Sequence, residues 1–240
     1  MHLAQSFGAA AAEYERVRPD WPSAVVDRAA ELLGLGPDAE VVDLGAGTGK
    51  LTRLLADRFE RVVAVEPDER MRSLLEVESY GATAERLPLP DASADAVFVG
   101  DAFHWFQAPA ALREIARALR PRGGLVLLWN DWWKTEPPIP EEASALLREQ
   151  FERSGRSFQA DVYAWRGAFD GSPFEPPREE RLSHAVVRSA AELAALYCST
   201  SSVASLPEAE RQALRRRLLE LLSGEYRLPF EVELVWTRLA

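Results

Sequence analysis

Three glycines at alternate positions, Gly45, Gly47 and Gly49, stand between an apolar run at 40–44 and a helical pattern at 50–57. Glycine at a strand-to-helix junction permits positive φ and close backbone approach by a ligand, and the free N–H groups of a helix start face an anionic group. Glu66 closes the next apolar run, at 61–66. A carboxylate there can accept hydrogen bonds from both hydroxyls of a ribose. Loop and acid together predict a nucleoside-cofactor site, against the alternative of a plain tight turn. A dinucleotide fingerprint, G-x-G-x-x-G, would need glycine where Lys50 stands, which argues against a nicotinamide-dependent oxidoreductase. His104 lies past the run at 94–99, at the rim where open α/β sheets bind ligands. Histidine is the side chain that ordinarily titrates near neutral pH, which makes His104 the candidate base for a hydroxyl or amine, the alternative being a pocket wall packed beside Trp105 and Phe106.

With Asp43 ahead of the glycines, D-x-G-x-G-x-G resembles the first motif of class I S-adenosylmethionine-dependent methyltransferases, and Glu66 resembles their second, acidic motif. The stretch 81–91 is similar to the segment that receives adenine in small-molecule members. Asp101-Ala102-Phe103-His104-Trp105-Phe106 resembles the A-F-H-W-F segment of the type 11, trans-aconitate methyltransferase-like subgroup. Ser6-Phe7-Gly8, Tyr14 and Arg18-Pro19-Asp20-Trp21-Pro22 fit the same subgroup, whose leading segment closes over the cofactor. The likeness covers residues 6–130.

The resemblance implies S-adenosylmethionine as cofactor, held by Tyr14, Arg18, Asp43, Gly45, Ala46, Gly47, Gly49, Glu66, Pro67, Ala84, Glu85 and Asp101. Asp43 would order the glycine loop, Ala84 and Glu85 would flank the adenine, and Arg18 would pair with the cofactor's carboxylate or an acidic substrate. The implied activity is methyl transfer to a small molecule, with Phe103, Trp105, Trp129 and Trp132 expected in the substrate pocket. For Trp129 the alternative is simple core packing. Displacement at a methyl group that is already activated requires alignment and exclusion of water, so no metal is expected. A non-catalytic S-adenosylmethionine-binding or regulatory protein of the same fold is the alternative function.

The elements that must position these residues follow from periodicity. Runs at 40–44, 61–66, 94–99 and 124–129 are apolar on both faces and alternate with helical patterns at 24–33, 50–57, 68–77 and about 108–119. Such strands form a parallel sheet covered on both sides. The expected class is α/β, a Rossmann-like doubly wound, mainly parallel sheet, with an N-terminal helical lid. The stretch 131–180 reads as loop-rich, with prolines at 137, 138, 140, 176 and 177. Beyond it, 182–187 reads as a strand, 190–197 and 207–222 as helices, and 230–236 alternates with period two as a final antiparallel strand near an edge. One domain is expected over 1–240: a lid and first helix (1–33), a cofactor-binding core (38–130) and a substrate-side, sheet-completing region (131–240).

Composition narrows the partners. The 240 residues carry 38 acidic and 28 basic side chains, a formal charge of −10, which disfavours a grip on nucleic acid. The D/N-P-P-Y/F/W tetrapeptide of nucleic-acid methyltransferases is also missing after 94–99. Cys198, the single cysteine, precludes an internal disulfide and a multi-cysteine metal site. With no 18-residue apolar run and no leader-like N-terminus, the expectation is a cytoplasmic protein that does not enter membranes.

Overall fold

The computed structural model describes residues 20–130, 138–153, 164–200, 203 and 206–240. Among these, seven strands form one sheet: β1 (Glu40–Leu44), β2 (Arg61–Val65), β3 (Glu78–Tyr80), β4 (Ala94–Gly100), β5 (Leu119–Asn130), β6 (Arg178–Ser189) and β7 (Glu225–Arg238). Their order is β3-β2-β1-β4-β5-β7-β6. The five strands from β3 to β5 pair in parallel, whereas β7 runs antiparallel to both of its neighbours. The class is therefore the α/β, Rossmann-like one read from the sequence, with one antiparallel strand. The chain reverses strand order between β1 and β4, the place where open parallel sheets leave a crevice for ligands.

Helices cover both faces because the central strands are apolar on both. Helices α1 (Ser23–Leu33) and α2 (Lys50–Arg58) lay Val25, Ala29, Leu33, Leu51 and Leu55 against Val41, Phe98, Val126, Leu128 and Leu234. The four-residue α3 (Glu69–Arg72) follows β2, and on the face opposite α1 and α2, α4 (Ala108–Ala118) packs Leu112 and Ile115 on Val42, Val97, Leu125 and Leu127. Phe103, Trp165, Phe169 and Phe174 complete that layer. A third apolar cluster is separate. There α5 (Glu141–Arg153), α6 (Ala190–Cys198) and α7 (Glu208–Leu221) bring Leu147, Leu193, Leu196, Leu214 and Leu218 onto Leu228 and Phe230 at the start of β7.

Three differences from the sequence reading have local causes. The helix expected over 68–77 starts where Asp68 caps it by accepting from the Arg70 and Met71 N–H groups, but it is reduced to α3 because the chain must return to the sheet by Glu78. There β3 adds to β2, pairing Val63–Val65 with Glu78–Tyr80; its residues carry no apolar run, so it was not expected as a strand. The loop-rich stretch contains α5, an amphipathic helix with Glu141 and Glu142 in its first turn. The expected lid falls mostly on residues 1–19, outside the described residues. Among the described residues no helix is long and apolar enough to cross a membrane.

Candidate active site

β1 delivers its last residues to the sheet's C-terminal rim, and the glycine loop turns there into α2. Gly45, Gly47 and Gly49 have φ of 74°, 57° and 89°, values an L side chain rarely adopts. Each uses that freedom differently. A Cβ on Gly45 would come within 2.7 Å of Ala102 Cβ, and one on Gly49 within 2.8 Å of Leu75 Cδ2. On Gly47 it would meet only Met71 Sδ at 4.0 Å, so this is the loop's open side. The Gly45 and Ala46 N–H groups both donate to the Val65 carbonyl, at 2.8 and 3.2 Å, which seats the loop on β2.

Glu66, at the end of β2, is built into the same unit. Its Oε2 accepts from Gly47 N–H and its Oε1 from Asp68 N–H, each at 2.8 Å. Burial pushes its carboxyl up, against the pull of those two N–H groups. Asp43 is buried beneath the loop, where its Oδ2 accepts from Thr52 Oγ1 at 2.6 Å. Among the described residues its Oδ1 has no hydrogen-bond partner. Burial is the main cause that pushes this carboxyl up to about 7; the Thr52 hydroxyl opposes the shift and the nearby Glu66 adds to it. The open side at Gly47, two buried carboxyl groups and three glycines with positive φ form a cradle that fits a nucleoside with a charged tail.

The remaining expected residues lie around this unit. Pro67 is exposed, between Glu66 and the Asp68 cap, and Ala84 is buried. Glu85 is partly exposed, and its Oε1 accepts from the Gln107 N–H at 2.9 Å, tying the loop after β3 to the start of α4. Asp101 adopts φ 50°, donates its N–H to the Leu128 carbonyl at 2.9 Å and accepts from the Asn130 N–H at 3.2 Å. A 3-10 turn, Phe103–Trp105, follows. His104 is partly exposed, with its ring 4.7 Å from that of Trp105, which is 38% exposed. Phe103 is fully buried against Phe106, Trp165 and Phe169. Trp129 is buried too, its indole stacked on Trp165 at 4.7 Å and 9°. The structure thus puts Phe103 and Trp129 in the core layer beneath the rim and Trp105 at the surface. Tyr14, Arg18 and Trp132 lie outside the described residues.

Other polar groups near the rim were missed in the sequence. Glu233 on β7 is 1% exposed, is the cross-strand partner of Trp129, and accepts from Arg166 Nη2 at 2.6 Å. Period-two alternation marks it as solvent-facing, but the segment Ala164–Phe169 covers that face. His184, given no role from sequence, faces Asn130 Oδ1 across 3.3 Å, and burial pushes its pKa down. Only the packed sheet brings these pairs together.

A methyltransferase-domain family model matches residues 42–127, the stretch from β1 through most of β5. An uncharacterized methyltransferase-like protein of Schizosaccharomyces pombe is 30% identical over 223 residues, covering 90% of this chain and 86% of its own. An uncharacterized methyltransferase of Mycobacterium tuberculosis is 44% identical over 135 residues, 53% of each chain, so the match spans about half the length of that relative. Among solved structures, a putative type II methyltransferase from Anaeromyxobacter dehalogenans shares the fold, with a TM-score of 0.64 at 24% identity over 92% of this chain and 98% of that one. A glycine loop seated on its acidic strand end, a β3-β2-β1-β4-β5-β7-β6 sheet and a relative alike over nearly the whole length lead to one conclusion: the chain belongs to the class I S-adenosylmethionine-dependent methyltransferases.

Proposed function

We propose that the protein transfers a methyl group from S-adenosylmethionine to a small-molecule acceptor. The observation that carries this reading is the 2.8 Å bond from Gly47 N–H to Glu66 Oε2, which makes loop and acid a single receptacle at the sheet's C-terminal rim. Bound there, S-adenosylmethionine supplies a methyl group already activated by its sulfonium. Gly45, Ala46, Gly47 and Gly49 would hold the methionine end, and Glu66 would accept from the ribose hydroxyls with the oxygen capacity its two N–H bonds leave. Ala84 and Glu85 would flank the adenine. His104, on the turn after β4, would remove a proton from a hydroxyl or amine acceptor, while an ionised carboxylate would need alignment alone. The A-F-H-W-F segment supports the trans-aconitate methyltransferase-like subgroup and, with it, small acidic metabolites. The charge of −10 supports a reading without nucleic acid. Relatives with printed acceptors, such as the malonyl-[acyl-carrier protein] O-methyltransferase of Marinomonas, match only half of their length, so the acceptor class rests on the segment just named.

The test is calorimetric titration of the wild type, Glu66→Ala and Gly47→Val with S-adenosylmethionine, S-adenosylhomocysteine and NADH. The wild type should bind the two sulfur nucleosides and not NADH, and each folded variant should lose about tenfold or more in affinity, roughly 1.4 kcal/mol. Unchanged affinity in both variants, or preference for NADH, overturns the cofactor reading. Binding without formation of S-adenosylhomocysteine from any small acid, phenol or amine would favour the non-catalytic alternative.

A further inference from the structure

We infer that Gly45 is a positioning residue for the turn that carries His104 and Trp105, acting through Ala102. This deepens the reading above and rests on it only in treating that turn as the acceptor side. A Cβ on Gly45 would stand 2.7 Å from Ala102 Cβ and 3.4 Å from Phe106 Cζ, closer to the former than real Cβ atoms come. The first glycine of the loop therefore faces the turn after β4, whereas a Cβ on Gly47 would meet only Met71 Sδ, at 4.0 Å. The absent side chain is what lets Ala102 seat against the loop.

The turn cannot slide away from an added methyl group. Asp101 N–H is held by the Leu128 carbonyl, and Asp101 Oδ1 accepts from the Asn130 N–H. At the far end the Gln107 N–H is held by Glu85 Oε1. Phe103 is 0% exposed, locked among aromatic rings. A push at Ala102 is passed on through its carbonyl, which accepts from the Trp105 N–H at 2.9 Å, to the part of the turn where His104 and Trp105 sit. Gly45 and Glu85, two residues expected at the cofactor, thus also abut or anchor this turn, so loop and turn hold their spacing as one body.

The experiment compares wild type, Gly45→Ala, Ala102→Gly and the double variant in the ligand-free protein. The readout is the titration of the His104 imidazole by NMR, identified against His104→Asn among the three histidines. Gly45→Ala should move the His104 midpoint by about 0.3 pH unit or more, and the double variant should return it toward wild type by removing the clashing methyl group. Because the strain of Ala at φ 74° persists in the double variant, recovery reports the Ala102 contact and not the backbone. Ala102→Ser, which crowds the contact from the turn's side with Gly45 intact, should move His104 as Gly45→Ala does and serves if the latter does not fold. An unmoved His104 in both crowded variants overturns the inference, as does a displacement that the double variant fails to reverse. Since no ligand is present, failure of S-adenosylhomocysteine to bind would sink the proposed function while leaving this test standing.

Discussion

Asp43 has a carboxyl that water does not reach, with one oxygen on Thr52 and the other without a hydrogen-bond partner among the described residues. Its folded pKa, about 7, stands above the ordinary 3.8, so the native state holds the proton longer than the unfolded chain does. The sign follows: the contribution to stability is fully present below the unfolded value and is lost as pH rises through the folded one. Asp43→Asn, which keeps an acceptor for Thr52, should therefore melt with less change between pH 5 and pH 8 than the wild type, by at least about 2 °C. Parallel melting curves for the two proteins would refute the assignment. Glu233, also buried, pairs instead with the half-exposed Arg166. Arg166→Ala leaves that acid buried, at a cost on the order of 1–3 kcal/mol after allowance for solvent at the exposed arginine, whereas Glu233→Gln removes the charge itself and should cost less. Equal losses in chemical denaturation would show that the pair is not what holds the 164–169 segment on the sheet. Asp43, the glycines and Glu66 could be picked out in the sequence because strand, turn and helix follow one another within a few residues. Glu233 and Arg166 are 67 positions apart, and nothing in either neighbourhood marks the other.

At the scale of elements, legibility followed local chemistry. Helix α1 ends where glycine stops it: Gly34 takes φ 60°, and the Gly34 and Leu35 N–H groups donate back to the Glu31 and Ala30 carbonyls. A Cβ on Gly34 would touch nothing within 4 Å, so Gly34→Ala isolates the conformational cost. That cost should be about 1 kcal/mol, lowering the melting temperature by roughly 2–4 °C. A neutral substitution would mean that the cap does not terminate the helix. Strand β1 and helix α2 lie where apolar runs and helical spacing placed them, since the first is buried on both faces and the second on one. β3 and α3 did not, because a three-residue edge strand is specified by the open edge of β2 and not by its own side chains. β6 and β7 run longer than their apolar signal, to Ser189 and from Glu225, since each supplies the other's hydrogen-bond partners along the whole antiparallel pair.

Across the whole molecule the sheet serves two bodies. Its parallel half carries the candidate site between two covered faces, while the extended antiparallel β6–β7 pair carries a cap of α5, α6 and α7 over a separate apolar cluster. That cluster shares no buried residue with the other two, and β7 joins them: Phe230 lies in it, whereas Val232 and Leu234 belong to the α1–α2 face. Residues that contact only within the cluster should report its opening alone. Leu218 is 0% exposed there, and Leu218→Ala should cost about 2–5 kcal/mol of local stability. Leu55, equally buried under α2, touches the sheet's centre, and Leu55→Ala should cost a similar amount but act on the global transition. Hydrogen exchange separates the two cases. With Leu218→Ala, amides of α6 and α7 should exchange faster while those of β1 and β4 keep their protection, because a sub-global opening of the cap leaves the central strands paired. With Leu55→Ala, protection should fall across both regions. If Leu218→Ala instead lowered protection in β1 and β4 as much as in α7, the cap and the cofactor half would unfold as one unit, and the apparent division along β7 would have no energetic meaning. The glycine loop sits wholly on the parallel half, so affinity for S-adenosylhomocysteine should survive Leu218→Ala and fall with Leu55→Ala, whose helix begins at that loop.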